Sequence, residues 1–141
     1  MNRAPGLTFL KGKASELQQS LVHAVGLAQK NAIRVAKAGM DAGVVHEAAA
    51  DTFNSLGYST GVKGGIPHGF IHSTGHGVGL GLHEPIRVAP AGGKLIAGNV
   101  VTIEPGLYYP GLGGVRIEDV VAITQTGTQR LSNYHYAWQI A

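Results

Sequence analysis

Histidines are concentrated in one short, glycine-rich stretch of the sequence. Four of the seven histidines lie between residues 68 and 83, and glycine occupies positions 75, 77, 79 and 81. A helix is disfavoured there, because glycine costs about 1 kcal/mol relative to alanine in a helix interior. An extended or looping backbone would bring the chain close to another backbone or to a ligand, with the imidazoles projecting into the space so formed. The four histidines are His68, His72, His76 and His83.

Two glutamates downstream lie in sequence that is typical of buried strands. Glu104 ends the run NVVTIE, where strand alternation places it on the same face as Thr102 and Val100. Glu118 lies inside GGVRIEDVVAI, on the same face as Arg116. A carboxylate is costly to bury unless it is paired or bound to a metal. The sequence therefore leaves two interpretations open for Glu118, a salt bridge with Arg116 or metal ligation.

One histidine and two glutamates on adjacent strands can bind a divalent cation. The sequence contains no cysteine, so any metal site must use histidine, aspartate or glutamate. Oxygen donors favour manganese, cobalt or iron as well as zinc. Two such ions bridged by water lower the pKa of that water and stabilise a tetrahedral intermediate, so the pattern is compatible with hydrolysis that needs no protein nucleophile.

Two amphipathic helices precede these segments. Ser15 can cap a first helix that ends near Gly39, and Asp41 can cap a second helix that Gly57 ends. Apolar residues recur at three- or four-residue steps in both helices. The predicted buried faces comprise Leu17, Leu21, Val25, Ala28, Ala32 and Val35 in the first helix and Val45, Ala49, Phe53 and Leu56 in the second.

Short β-branched runs between glycines and prolines follow the helices. They predict strands at Asn99–Ile103, Gly106–Tyr109 and Val115–Thr124. A helix pair followed by antiparallel strands favours an α+β fold, in which two helices pack on one face of an antiparallel sheet. The last residues are predicted to dock on the body through Trp138.

Composition limits the class of protein. The chain has 141 residues, 44% of them hydrophobic, and a formal net charge of +3, which fits one domain or part of one. No secretory signal and no run of about 18 apolar residues occur, so we expect a soluble, cytoplasmic protein without a membrane or nucleic-acid partner. Phosphate-binding G-x-x-x-x-G-K-[ST] and zinc-binding H-E-x-x-H patterns are absent as well.

Three segments together resemble the M24 metallopeptidases, the pita-bread family. They are HSTGHGVGLGLHEP, GNVVTIEPGLYYPG and GGVRIED, and they follow the family order. Residues from about Thr8 to Thr124 are similar to the second half of that catalytic domain. His72 and the segment EPGLYYPG resemble the Xaa-Pro aminopeptidases and prolidases more than the methionine aminopeptidases.

The resemblance implies roles for six residues. His76 would be a metal ligand, Glu104 a ligand that also shuttles the proton, and Glu118 a carboxylate that bridges two divalent ions of manganese, cobalt, iron or zinc. His83 would stabilise the charge that develops on the scissile carbonyl, and His72 would line the site for the residue after the cleaved bond. Arg116 is the sixth residue, and it would orient the carboxylates.

The other histidines and one acid have structural interpretations. His68 is predicted to lie in a loop, and Glu84 to act in a turn or a salt bridge. The three histidines outside the motifs are predicted to lie on the surface, and they are His23, His46 and His135.

The sequence departs from the family in one respect. The family site also uses two aspartates and a substrate-contacting histidine from an upstream half, whereas Asp41 here is predicted to cap a helix and Asp51 to lie on a helix surface. We therefore expect residues 1–141 to form a single partial M24 domain. Its metal centre should have three ligands of five, and the chain alone should be weakly active or inactive.

The resemblance implies a peptidase that cleaves next to proline, with a peptide as its partner. Two alternatives remain open: a non-catalytic pita-bread module that binds peptides or proteins, and a hydrolase like methionine aminopeptidase or creatinase. An uncovered sheet edge and apolar face would also favour a homodimer, or complementation by the missing half.

Overall fold

Capping residues set the starts of the two helices. The computed structural model describes residues 6–133 and 137–141, with α1 at Glu16–Val35 and α2 at Ala42–Ser55. Ser15 Oγ accepts a hydrogen bond from Gln18 N, and Gln18 Oε1 accepts one from Ser15 N, a complete capping box. At α2, Asp41 Oδ1 accepts from Gly43 N at 2.7 Å. Both predicted caps are confirmed.

The first helix ends one turn earlier than predicted. It stops at Val35 rather than near Gly39, because the following backbone bonds to other segments instead of continuing the helix. Ala38 N donates to Thr124 O, Gly39 N donates to Leu95 O, and Gly39 has a φ of +84°. The second helix ends as predicted, with Gly57 at a φ of +82° two residues after Ser55.

A five-stranded antiparallel sheet forms the layer that carries the histidines and glutamates. The strands of the described residues are β1 (Leu10–Lys11), β2 (Gly61–Lys63), β3 (Ile66–His68), β4 (Gly75–Gly77), β5 (Glu84–Val88), β6 (Val100–Ile103), β7 (Gly106–Tyr109), β8 (Gly113–Arg116), β9 (Asp119–Ile123), β10 (Thr128–Arg130) and β11 (Gln139–Ile140). The strand order of the five-stranded sheet is β10-β9-β6-β4-β5. Three further pairs are formed by β1–β11, β2–β3 and β7–β8, of which β1–β11 is parallel.

The predicted strand Val115–Thr124 is in fact two strands. β8 pairs with β7, whereas β9 pairs with β6, so the chain changes partner at residues 117 and 118. Ile117 forms an isolated bridge with Leu7, and Glu118 N donates to Gly6 O. The N-terminal segment therefore supplies the bonds that break the long run into two.

The hydrophobic core lies between the two helices and the sheet. Small residues on α1, such as Ala28 and Ala32, allow close approach, and both are fully buried. Two residues predicted on the buried faces, Leu17 and Leu56, are instead 53% and 43% exposed, because they lie at the ends of their helices. Trp138 lines a small apolar cleft with Val22 and Ile117. No helix of the described part of the chain is long and apolar enough to cross a bilayer.

An ion pair between a buried aspartate and a partly exposed arginine lies near the outer edge of the sheet. Asp119 is 2% exposed, and its Oδ2 lies 2.9 Å from Arg130 Nη2. We expect Arg130→Leu to lower the free energy of unfolding by about 1–3 kcal/mol, because the buried carboxylate loses a charged donor. Urea unfolding checks this, with Arg34→Leu on the exposed side of α1 as the matched control. Equal losses in the two variants would contradict the expectation.

Candidate metal centre

Strand β4 carries His76 in the middle of the sheet layer. The strand lies between β5 and β6, and His76 N donates to Thr102 Oγ1 at 3.0 Å. The ring Nδ1 lies 2.8 Å from Gly77 O. Because a carbonyl oxygen only accepts, Nδ1 carries a hydrogen, which leaves Nε2 as the ring nitrogen that could bind a metal. Nε2 lies 3.3 Å from Glu104 Oε1.

Glu104 directly follows β6 and is held by two neighbours. Thr102 Oγ1 donates to Glu104 Oε1 at 2.9 Å, which confirms that the two residues share a face. Glu104 Oε2 lies 3.5 Å from Arg116 Nε, and the side chain is 12% exposed. A nearly buried carboxylate of this kind requires a cation beside it.

Glu118 lies in the two-residue break between β8 and β9. Its Oε2 accepts from Gly6 N at 2.8 Å and lies 3.7 Å from Arg116 Nη2. The salt bridge that the sequence left open is therefore present, and the same guanidinium also contacts Glu104. Arg116 thus links the two carboxylates.

The donor set suits a divalent cation in kind, because it combines one neutral imidazole with two carboxylates. A chain of contacts of 3.3, 3.5 and 3.7 Å joins His76 to Glu104, Glu104 to Arg116 and Arg116 to Glu118. Within residues 6–133 and 137–141, however, no three histidine, aspartate or glutamate side chains converge closely enough to hold an ion. His76, Glu104 and Glu118 are therefore neighbours, but the three side chains do not surround one point at which a single ion could bind.

A cleft of about 800 Å³ opens over these residues. The ring centroid of His83 lies 4.5 Å from that of His76, with the two planes nearly perpendicular. His72 Nδ1 bonds to Ser73 O, and Tyr108 OH donates to His72 Nε2 at 3.0 Å. The cleft is lined by five of the six residues to which the resemblance gives a role: His72, His76, His83, Glu104 and Arg116.

Tyr108 is a site residue that the sequence analysis missed. Burial raises the pKa of its hydroxyl, Arg116 lowers that pKa, and Glu104 raises it further. The hydroxyl therefore stays protonated and can donate to His72, which links His72 to the region of Arg116. The only sequence signal was its place in EPGLYYPG.

His46 was wrongly predicted to lie on the surface. It is half-buried, its ring stacks on Phe70 at 5.0 Å, and its Nδ1 lies 2.9 Å from Thr74 Oγ1. Burial lowers the pKa of His46, with Glu47 acting in the opposite direction and His72 adding to the decrease. Its position next to Val45, on the inward side of α2, was the available signal.

The remaining interpretations have mixed outcomes. His23 is exposed as predicted, and Glu84 Oε1 accepts from Gly81 N at 2.6 Å, which confirms a turn role. His68 ends strand β3 rather than lying in a loop, because β2 and β3 form a hairpin around two glycines of positive φ. Asp51 is exposed on α2. His135 lies outside the described residues.

Known proteins with the same pattern are peptidases. Residues 6–125 match the model of metallopeptidase family M24. A Xaa-Pro dipeptidase of Pyrococcus furiosus is 42% identical over 126 residues, which are 89% of this chain and 34% of that protein. The probable dipeptidase PepE of Mycobacterium bovis is 38% identical over 75% of this chain and 26% of its own length.

Solved structures agree on the fold. Xaa-Pro dipeptidase from Bacillus anthracis superposes with a TM-score of 0.83 at 33% identity, covering 94% of this chain and 36% of that one. Methionine aminopeptidase from Rickettsia prowazekii, at 17% identity and a TM-score of 0.68, shares the fold alone. The chain spans about a third of the length of the curated relatives it matches. It has the expected α+β architecture, two helices on an antiparallel sheet, and it belongs to metallopeptidase family M24.

Proposed function

We propose that this chain carries part of the catalytic centre of a Xaa-Pro dipeptidase or aminopeptidase, which hydrolyses the peptide bond next to proline. The observation that carries the proposal is the orientation of His76, whose Nε2 is directed at Glu104 Oε1 while Arg116 links Glu104 to Glu118. When bound, two divalent ions would activate a water molecule and polarise the scissile carbonyl.

The side chains of the cleft have separable tasks in this proposal. His76, Glu104 and Glu118 would hold the ions, and Glu104 would also accept the proton of the attacking water and pass it to the leaving amine. The His83 imidazole, beside His76, would stabilise negative charge on the carbonyl oxygen. His72, fixed by Tyr108, would contact the proline side of the substrate.

The centre requires donors from outside these 141 residues. Residues 1–141 thus form one partial M24 domain, and a further polypeptide segment, in the same protein or in another copy, supplies the missing ligands. The separation of His76, Glu104 and Glu118 supports this, because none of the described acids or histidines closes the set around a single ion. Manganese, cobalt, iron and zinc all match a mixed nitrogen and oxygen site.

Elemental analysis of the purified chain tests the proposal, with the oligomeric mass measured on the same sample. We expect fewer than one manganese, cobalt, iron or zinc ion per chain, and little hydrolysis of a Xaa-Pro dipeptide in added manganese. Two ions per chain with rapid turnover in a monomeric sample would contradict the requirement for outside donors. Cleavage of Met-Xaa peptides or of creatine in preference to Xaa-Pro would contradict the substrate class.

The non-catalytic binding module makes a different prediction. In that case Arg116 is the permanent partner of both carboxylates, no metal binds at millimolar manganese or cobalt, and His76→Ala leaves peptide binding intact. The peptidase proposal instead expects metal uptake to depend on His76. The two candidates are separated by comparing metal binding and peptide binding of the same variant.

A further inference from the structure

Gln29 is a fully buried polar residue in the middle of the apolar face of α1. It is 2% exposed and lies between Val25 and Ala32, both at 0%. A buried amide is costly unless its hydrogen bonds are made. Gln29 Nε2 donates to Ile103 O at 3.2 Å and to Ile117 O at 3.0 Å. One amide nitrogen therefore connects two distant segments of the sheet layer.

Both acceptors immediately precede the glutamates of the metal centre. The carbonyl of Ile103 belongs to the same peptide unit as the N–H of Glu104, which donates to Thr74 O at 2.6 Å. The carbonyl of Ile117 shares its peptide unit with the N–H of Glu118, which donates to Gly6 O at 3.0 Å. The peptide group that precedes each glutamate is therefore hydrogen-bonded on both sides. Its carbonyl accepts from Gln29 of α1, and its N–H donates to a backbone carbonyl of another segment.

Regular strand pairing ends at these two places. β6 stops at Ile103, and residues 117 and 118 lie between β8 and β9. Backbone groups beyond the end of a ladder need other partners. The two N–H groups of Gln29 meet that need for both carbonyls at once, so the rigid helix fixes the distance between the two peptide units.

We propose that Gln29 is a positioning residue that sets the separation of the Glu104 and Glu118 carboxylates. The inference rests on the proposed function, because a fixed separation matters when both carboxylates bind the same pair of ions. Gln29 is not among the residues that line the cleft, and it would act through the backbone of Ile103 and Ile117.

The test substitutes methionine for glutamine, since Gln29→Met keeps the length of the side chain and removes both donors. We expect the dissociation constant of the 141-residue chain for Co²⁺ to rise about tenfold, the scale seen when a partner that orients a ligand is lost. Asn31→Leu is the matched control. It removes another hydrogen bond of α1, from Asn31 Nδ2 to Thr52 Oγ1, which faces α2 and not the glutamates. An equal loss of Co²⁺ affinity in both variants would overturn the proposal.

A second measurement needs no metal and separates this inference from the proposed function. In the metal-free chain, Gln29→Met should raise amide hydrogen exchange of Glu104 and Glu118 at least about tenfold relative to Val45 in α2. Unchanged exchange ratios overturn the inference, even if the native chain binds Co²⁺. Raised ratios in a chain that binds no Co²⁺ support the positioning role and count only against metal binding by the 141-residue chain alone.

A third measurement covers the case in which Gln29→Met does not fold. Both side-chain amide protons of Gln29 in the native chain should exchange slowly, as do protons donated to buried carbonyls. Exchange at the rate of an exposed glutamine such as Gln129 would overturn the proposal.

Discussion

Gly75→Ala should destabilise the chain by at least about 3 kcal/mol, or prevent folding. A Cβ built on Gly75 would lie 1.8 Å from Thr102 O and 2.7 Å from Thr102 C, both backbone atoms of β6. Real contacts of this kind do not fall below 3.0 Å, so one of the two strands would have to move. Strand β4 cannot retreat easily, because β5 pairs with its other edge.

Urea unfolding followed by circular dichroism checks this expectation. Gly26→Ala is the matched control, since it adds the same methyl group inside α1, where the nearest atom is Ile117 Cδ1 at 3.9 Å. That variant should gain about 0.5–1 kcal/mol from the higher helix propensity of alanine. The explanation fails if Gly75→Ala unfolds within about 0.5 kcal/mol of the native chain.

The glycine at position 75 also shows what sequence reasoning can establish. The alternating glycines correctly excluded a helix around His76 and indicated close approach to another backbone, which is the contact between Gly75 and β6. They did not reveal the identity of the neighbouring strand. That contact depends on Thr102, which lies 27 positions away, and a local pattern carries no information about such partners.

The ends of the helices and the break between β8 and β9 also differ in whether local sequence predicts them. Ser15 and Asp41 were predictable as caps because a cap is a local interaction of a side chain with its own helix. The end of α1 at Val35 and the break at Glu118 were not, because the backbones of Leu95, Thr124 and Gly6 determine them. Tertiary hydrogen bonds override local patterns wherever a segment from elsewhere offers a better partner.

The residues of the candidate site likewise separate into those that local motifs reveal and those whose contacts lie far away in sequence. Three motifs sufficed to name five residues that line the cleft, since those residues lie within short, distinctive runs. Tyr108, His46 and Gln29 escaped because their relevance depends on contacts with residues 28 or more positions away. Gln29 resembled any polar interruption of an amphipathic helix until its two acceptors were known.

His76→Ala should weaken metal binding by the chain, with the dissociation constant for Mn²⁺ or Co²⁺ rising on the order of 100-fold or more. Substitution of residues that merely orient a ligand costs about 10–100-fold, and His76 is the only imidazole that faces Glu104 in an ion-pair contact among the described residues. Its removal leaves two carboxylates that already share Arg116. A cation would then have to displace the guanidinium without the help of a nitrogen donor.

Isothermal titration of the metal-free chain with Co²⁺ measures this effect. The matched control is His23→Ala, which removes an exposed imidazole from α1 and should leave the dissociation constant unchanged. Equal Co²⁺ affinity in His76→Ala and the native chain would mean that any bound ion lies elsewhere. The orientation of His76 toward Glu104 would then reflect hydrogen bonding alone.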